Sequence, residues 1–247
     1  MAKNKLARWN ELNSFPNVIQ PSIDDVVEAW LVEEALDQRF PSGSITVKDH
    51  FIKGNWNKSI FKNSNPVVLE LGCGRGEYTI GLSKKYTEKN FIGVDIKGAR
   101  LWRGAKTSNQ ENIKNTAFLR TRIEFIGSFF AENEVDEIWI TFPDPHPGQR
   151  NSNKRLTSPW YLNAYRDFLK DKSIVHLKTD NKELFSFTEK IIKSNDLEIL
   201  NLTPDLYSSG ITDDILAIKT HYENIFLKTG LKICYASFRL EKGRIIK

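Results

Sequence analysis

Ten residues, Val67-Val68-Leu69-Glu70-Leu71-Gly72-Cys73-Gly74-Arg75-Gly76, constrain the fold more than any other part of the chain. An apolar run of strand length reaches an acid, and three glycines follow at alternate positions. Behind them Glu77 to Tyr86 reads as a helix, with Tyr78, Ile80 and Leu82 apolar. A strand that turns through glycines into a helix lets backbone approach a ligand with amide N–H groups free to donate. The next strand-like run, Phe91-Ile92-Gly93-Val94-Asp95, ends in a carboxylate 21 residues after Gly74. Nucleotide-binding folds place the acid that holds a ribose at such an interval. The pattern specifies a nucleoside-cofactor site.

From Asn65 onward, strand-like and helix-like segments alternate. Candidate strands are Val67–Leu71, Phe91–Asp95, Ala117–Arg120, Glu137–Phe142, Ile174–Thr179, Leu197–Leu202 and Lys232–Arg239. Helical spacing covers Glu77–Tyr86, Gly98–Asn112, Pro159–Leu169, Lys182–Ser194 and Asp213–Lys228. Such alternation predicts an α/β fold, a Rossmann-like doubly wound and mostly parallel sheet with helices on both faces. The last strand follows only Thr229-Gly230, so it is expected to insert antiparallel. Residues 1 to about 60 do not begin this pattern. Asp24 to Phe40 has helical spacing (Val27, Trp30, Leu31, Ala35) and is expected to form a helix covering the main domain. Disorder is expected in the first dozen residues.

A chain of 247 residues can bury one sizeable core. No apolar run approaches the roughly 20 residues that span a bilayer, and the basic start Met1 to Lys5 is followed by no apolar stretch of a secretory signal. Cys73 and Cys234 read as buried thiols of a reducing, cytoplasmic setting. The four histidines, His50, His146, His176 and His221, show no metal-ligand spacing with these cysteines. The formal charge of +5 permits a polyanionic partner if the cations share a face.

In a doubly wound sheet ligands bind beyond the carboxyl ends of the strands, and the unusual residues sit there. Glu70 opposes a pyrophosphate, which a strand-end carboxylate would repel, and suits a cationic ligand such as S-adenosyl-L-methionine. The turn also lacks the third-glycine spacing of the dinucleotide fingerprint and the Gly-Lys-Ser/Thr of a P-loop. Asp95 can accept both ribose hydroxyls. In Phe142-Pro143-Asp144-Pro145-His146-Pro147, alternate prolines stiffen the backbone around Asp144; His146 reads as a loop histidine rather than a base. Arg150, Lys154 and Arg155 are either a solvated face or a phosphate-binding loop. Arg100, Arg103 and Lys106 recur at three-residue spacing and extend that basic surface.

These motifs together resemble the bacterial single-subunit tRNA (guanine-N7)-methyltransferases, a class I S-adenosyl-L-methionine-dependent family. The matching residues are Leu69 to Gly76, Gly93-Val94-Asp95, Phe142 to Pro145, Arg155-Leu156-Thr157, Lys178 to Asn181 with Glu183-Leu184, and Thr220-His221-Tyr222-Glu223. Asn17 to Pro21 is similar to the family's N-terminal arm. The resemblance implies an arm and covering helix over 1–60 and a methyltransferase domain over 61–247. It implies that Glu70, Gly72, Gly74, Asp95, Arg122, Ile123 and Asp144 contact the cofactor, with Asp144 at the reaction centre. Gly148, Arg150, Asp180 and Thr220 to Glu223 would hold the tRNA guanosine, at position 46 of the variable loop. Three positions depart from the family: Arg122 replaces an acid or amide that meets the adenine, His146 a Trp and Gly148 a Lys, with Arg150 as the nearby cation. Adenine recognition is then expected from backbone groups. A catalytically impaired RNA-binding module and a class I methyltransferase with another substrate remain the alternatives. Monomer and homodimer are both left open.

Overall fold

The computed structural model of the chain describes residues 2–30 and 45–247. Eight strands form one sheet: β1 (Val18–Ile19), β4 (Val67–Leu71), β5 (Asn90–Val94), β6 (Thr116–Leu119), β7 (Val135–Thr141), β8 (Leu169–Thr179), β9 (Ile199–Thr203) and β10 (Cys234–Leu240). Their order is β1-β6-β5-β4-β7-β8-β10-β9. From β1 to β8 every pairing is parallel, and β10 inserts antiparallel between β8 and β9. The strand order reverses between β5 and β7, with β4 at the centre. The crevice of a doubly wound sheet opens at this switch, so the glycine turn that leaves β4 stands at its mouth. All five residues of β4 are buried, as expected for a strand covered on both faces.

Helices α2 (Glu77–Lys85) and α3 (Gly98–Gln110) cover one face, while α4 (Pro159–Arg166) and α5 (Lys182–Ser194) cover the other. The α2–α3 crossing is close enough to dictate its residues. A Cβ on Gly104 would lie 2.8 Å from the Arg75 carbonyl oxygen, and one on Gly76 would lie 2.7 Å from the Phe118 ring. Gly76 also has φ +69°, a conformation glycine adopts without steric cost.

The N-terminal region differs from expectation. Residues 2–12 form helix α1 (Ala2–Leu12), which packs on α3 through buried Leu12. Val18–Ile19 joins the sheet edge in parallel register with Phe118 and Leu119. The helix expected from Asp24 is replaced over 24–30 by a single 3-10 turn and strand β2 (Val27–Trp30), paired antiparallel with β3 (Ile45–Val47). The rest of that expected helix, 31–40, lies outside the described residues. The helix expected over 213–228 is shorter: only α6 (His221–Lys228) is helical beyond a turn at 214–217. No helix among the described residues is long and apolar enough to cross a membrane.

Candidate active site

A cavity of about 380 Å³ opens at the carboxyl ends of β4, β5, β6 and β7. Gly72, Asp95, Arg122, Ile123 and Asp144, five residues singled out from the sequence, all line it. Ile96, Lys97, Arg100, Thr121, Glu124, Phe142, His146, Lys154 and Tyr161 contribute more of the wall.

The glycine turn is fixed by neighbouring backbone. Gly72 and Cys73 N–H both donate to the Val94 carbonyl, at 2.8 and 3.0 Å. Asp95 accepts Gly74 N–H at 2.9 Å on one oxygen and Lys97 N–H at 2.6 Å on the other. A carboxylate has about four acceptor positions, so two remain for a ligand. Burial raises the Asp95 pKa, opposed by these two backbone donors.

Glu70 lies behind the turn, not on the cavity wall. Gly76 begins α2 without a side chain to cap it, and Glu70 supplies the cap by accepting Thr79 N–H at 2.7 Å and the Thr79 hydroxyl. Its other oxygen accepts the Thr141 hydroxyl at 2.6 Å. One carboxyl therefore ties β4, α2 and β7 together directly below the cavity. Burial raises its pKa from 4.5 to about 7 despite these donors. A raised folded-state value means the folded protein holds this proton more tightly than the unfolded chain. The associated stability is full below pH 4.5 and is lost as pH rises through about 7. Glu70→Gln should gain on the wild type by up to about 3 kcal/mol between pH 5 and pH 8. Urea unfolding at several pH values checks this, and a pH-independent difference would contradict it.

The Asp144 loop is held in an unusual conformation. Phe142 and His146 flank it with φ of +48° and +44°, values that cost a non-glycine residue about 1–3 kcal/mol each. Phe142 N–H donates to the Lys178 carbonyl at 2.8 Å. Arg155, grouped with the basic run in the sequence, is 3% exposed and faces inward. Its guanidinium donates to the Pro145 and His146 carbonyls at 3.2 and 3.3 Å, pairs with Glu183, and lies over the Phe187 ring at 4.6 Å. Gly148 N–H donates to the same Glu183 carboxylate at 3.2 Å. Arg155 is thus a clamp on the loop, while Arg150 is exposed on the following 3-10 turn and Lys154 reaches the cavity.

The remaining expected contacts lie beside the cavity rather than in its wall. Asp180 ends the β8 side half-buried, with its pKa raised by burial. Thr220 caps α6, its hydroxyl accepting Glu223 N–H at 3.1 Å. Glu223 is fully buried: it pairs with Lys178 at 2.8 Å and accepts the Tyr207 hydroxyl at 2.6 Å. The geometry turns Glu223 inward, onto Lys178 and Tyr207. His221 and Tyr222 face outward. His221 N–H donates to Glu77 at 2.7 Å, tying the start of α6 to the start of α2. Tyr222 lies under the Arg100 guanidinium at 5.7 Å, on the rim of the cavity.

Sequence reasoning missed Thr141, Glu124 and the clamp role of Arg155. Glu124 lines the cavity and pairs with Arg122 at 3.2 Å. It places an acid two residues beyond the position where the sequence shows Arg122 in place of one. Spacing within the strand could not indicate this, because the chain enters a 3-10 helix, Ile123–Ser128, in between.

Known proteins agree with the architecture. The family described as "Putative methyltransferase" matches residues 64–236. A tRNA (guanine-N(7)-)-methyltransferase of Bacteroides fragilis is 47% identical over 97% of this chain and 87% of its own length. The protein of that name from Bacteroides thetaiotaomicron is 44% identical over 100% and 90% respectively. Among solved structures, the 16S rRNA methyltransferase KamB superposes with a TM-score of 0.56 at 11% identity, covering 79% of this chain and 96% of its own. That likeness is one of fold.

Proposed function

The chain belongs to the tRNA (guanine-N7)-methyltransferase family, and from that premise we propose that it transfers a methyl group from S-adenosyl-L-methionine to N7 of a guanine in tRNA, at position 46 of the variable loop. One observation carries the site assignment: Gly72, Asp95 and Asp144 converge on a single cavity at the switch point of the sheet. In this reading residues 61–247 are the catalytic domain, residues 1–60 are an arm, and the protein works in the cytoplasm.

The cavity suits the cofactor chemically. Asp95 keeps acceptor positions for two ribose hydroxyls, and Gly72 lets backbone come close. Ile96 and Ile123 give apolar surface for a purine, with Thr121 and Glu124 able to accept its amino group. Glu70 acts on this site by bracing the turn.

S-adenosyl-L-methionine supplies an electrophilic methyl on a sulfonium. Guanine N7 carries a lone pair and no proton, so attack requires positioning and a complementary field rather than a base or a metal. Asp144 and Asp180 stabilise the positive charge that develops on the purine. A carboxylate here also accepts the guanine N1–H and N2–H edge, which adenine cannot offer. Tyr222 and His221 form the outer wall for the target nucleoside, held in place by the Glu223–Lys178 pair. Arg150 and Lys154 meet phosphates.

Arg155 acts on the reaction through the loop it clamps. Arg155→Ala should lower kcat about 10- to 100-fold with cofactor affinity unchanged, and Arg155→Lys should not restore it, because only the planar fork spans both carbonyls. Equal kcat in wild type and Arg155→Ala would remove the clamp from the account. Incorporation of labelled methyl from S-adenosyl-L-methionine into unmodified tRNA tests the proposal as a whole. Failure of tRNA to take up label under conditions where the protein binds cofactor would overturn it.

A further inference from the structure

We propose that helices α1 and α3 form a phosphate-binding ridge that carries the RNA backbone outward from the cavity. The inference rests on the RNA-methylating reading above and adds a surface to it.

Helix α3 carries Arg100, Arg103 and Lys106 and no acid along its whole length. Lys97 precedes it directly. At 1.5 Å per residue, Lys97 to Lys106 spans about 14 Å, enough to meet several phosphates of one strand. Helix α1 lies against α3 and adds Arg8, which is exposed. Of the nearby acids, Glu11, the one acid of α1, accepts the Trp102 indole N–H and pairs with Lys106 itself, both at 2.8 Å. The ridge's unneutralised cations therefore include Arg8 and Arg103 rather than Lys106. Glu111 pairs with Lys84. Arg103 is exposed and forms no ion pair among the described residues.

Three guanidinium groups along this surface lie over aromatic rings: Arg8 on Trp102 at 4.8 Å, Arg120 on Trp9 at 4.0 Å, and Arg100 on Tyr222 at 5.7 Å. Stacking fixes the plane of the fork and leaves its N–H edge directed outward, the geometry for bidentate contact with phosphate. Trp9 is 38% exposed, so its uncovered part offers a platform for an unpaired base. Interleaved cations and aromatic faces are what a single-stranded or looped RNA engages. The ridge is also continuous with the reaction site, because Lys97 and Arg100 line both the cavity and the start of α3. A nucleotide in the cavity therefore leads its own backbone onto α3.

The test uses the full chain with S-adenosylhomocysteine present and an unmodified tRNA transcript as probe, titrated over a series of KCl concentrations. Arg8→Glu/Arg103→Glu should raise Kd at least tenfold and lower the log–log salt slope by about 2. The thermal midpoint and kcat at saturating tRNA should not change. The neutral pair Arg8→Gln/Arg103→Gln should show the same loss of slope with a smaller rise in Kd, which separates lost phosphate contacts from new repulsion. Wild-type affinity and slope in both variants, with 7-methylguanosine still formed, would overturn the ridge and leave the functional reading intact. A wild type that binds tRNA steeply and loses slope in both variants, yet forms no 7-methylguanosine, would support the ridge and overturn the functional reading.

Discussion

Asp144→Ala should bind S-adenosylhomocysteine within a few-fold of wild type while single-turnover methylation of tRNA falls about 100- to 1,000-fold. The expectation follows from where the protein places backbone strain. Positive φ at Phe142 and His146 brackets the Pro-Asp-Pro segment, and Arg155 holds the carbonyls on its far side. Such conformations persist only where surroundings enforce them, and they cluster where geometry matters for chemistry. The outcome of this bracing is one exposed carboxylate on the cavity wall. Its position is set before the reaction begins, so in the proposed reading it can stabilise positive charge arriving on the purine without reorganising. In the proposed reading cofactor affinity rests mainly on Asp95 and the glycine turn, which the substitution does not touch. Isothermal titration and rapid-quench kinetics separate the two quantities. Turnover near the wild-type value would take Asp144 out of the mechanism.

The largest loss of stability should come from Lys178→Met. The Lys178 ammonium is fully buried, pairs with Glu223 at 2.8 Å, and donates to the Leu216 and Ile218 carbonyls at 2.8 and 3.1 Å. Burial lowers its pKa, and Glu223 acts in the opposite direction. Removing the cation strands the Glu223 carboxylate in the interior with the Tyr207 hydroxyl as its remaining side-chain partner. Breaking such a pair costs about 3 to 5 kcal/mol, or a fall of roughly 6 to 20 °C in melting temperature at this chain length. Lys178→Met/Glu223→Leu removes both charges and should recover most of the loss, since an apolar pair of similar volume is often no less stable. Denaturant melts of the three proteins check the cycle. A single-variant loss below about 1 kcal/mol would mean that the pair is solvated and that α6 is held by other contacts.

The same pair explains why part of the chain misreads from sequence. Ile215, Leu216 and Ile218 have helical spacing, but two of the carbonyls in that stretch bond to Lys178 rather than to an amide one turn on. The helix therefore starts only at His221, capped by Thr220. Long-range pairing also defeats the local pattern at Val27, where strand β2 finds its partner in Val47, beyond any periodicity window. Glu11 decides the first dozen residues, because its bonds to Trp102 and Lys106 dock α1 onto α3. By contrast, β4 to β7, the Ile174–Thr179 part of β8 and the turn at Gly72 to Gly76 are legible in outline, because their apolar runs and glycines answer to local rules that packing reinforces; the polar start of β8, Leu169 to Ser173, carries no such pattern. At the site, the residues found from sequence are those at strand ends. Arg155 reads in sequence as part of a basic run and Glu223 as a substrate contact, and only the fold shows them buried at 3% and 0% exposure.

The most direct test is the identity and position of the nucleoside formed. The protein is incubated with methyl-labelled S-adenosyl-L-methionine and unmodified tRNA, which is then digested and resolved into nucleosides, with the modified residue mapped along the chain. Label confined to 7-methylguanosine at position 46 of the variable loop is the predicted result. Label in a methylated adenosine, or in guanosine modified at another atom, would contradict the account.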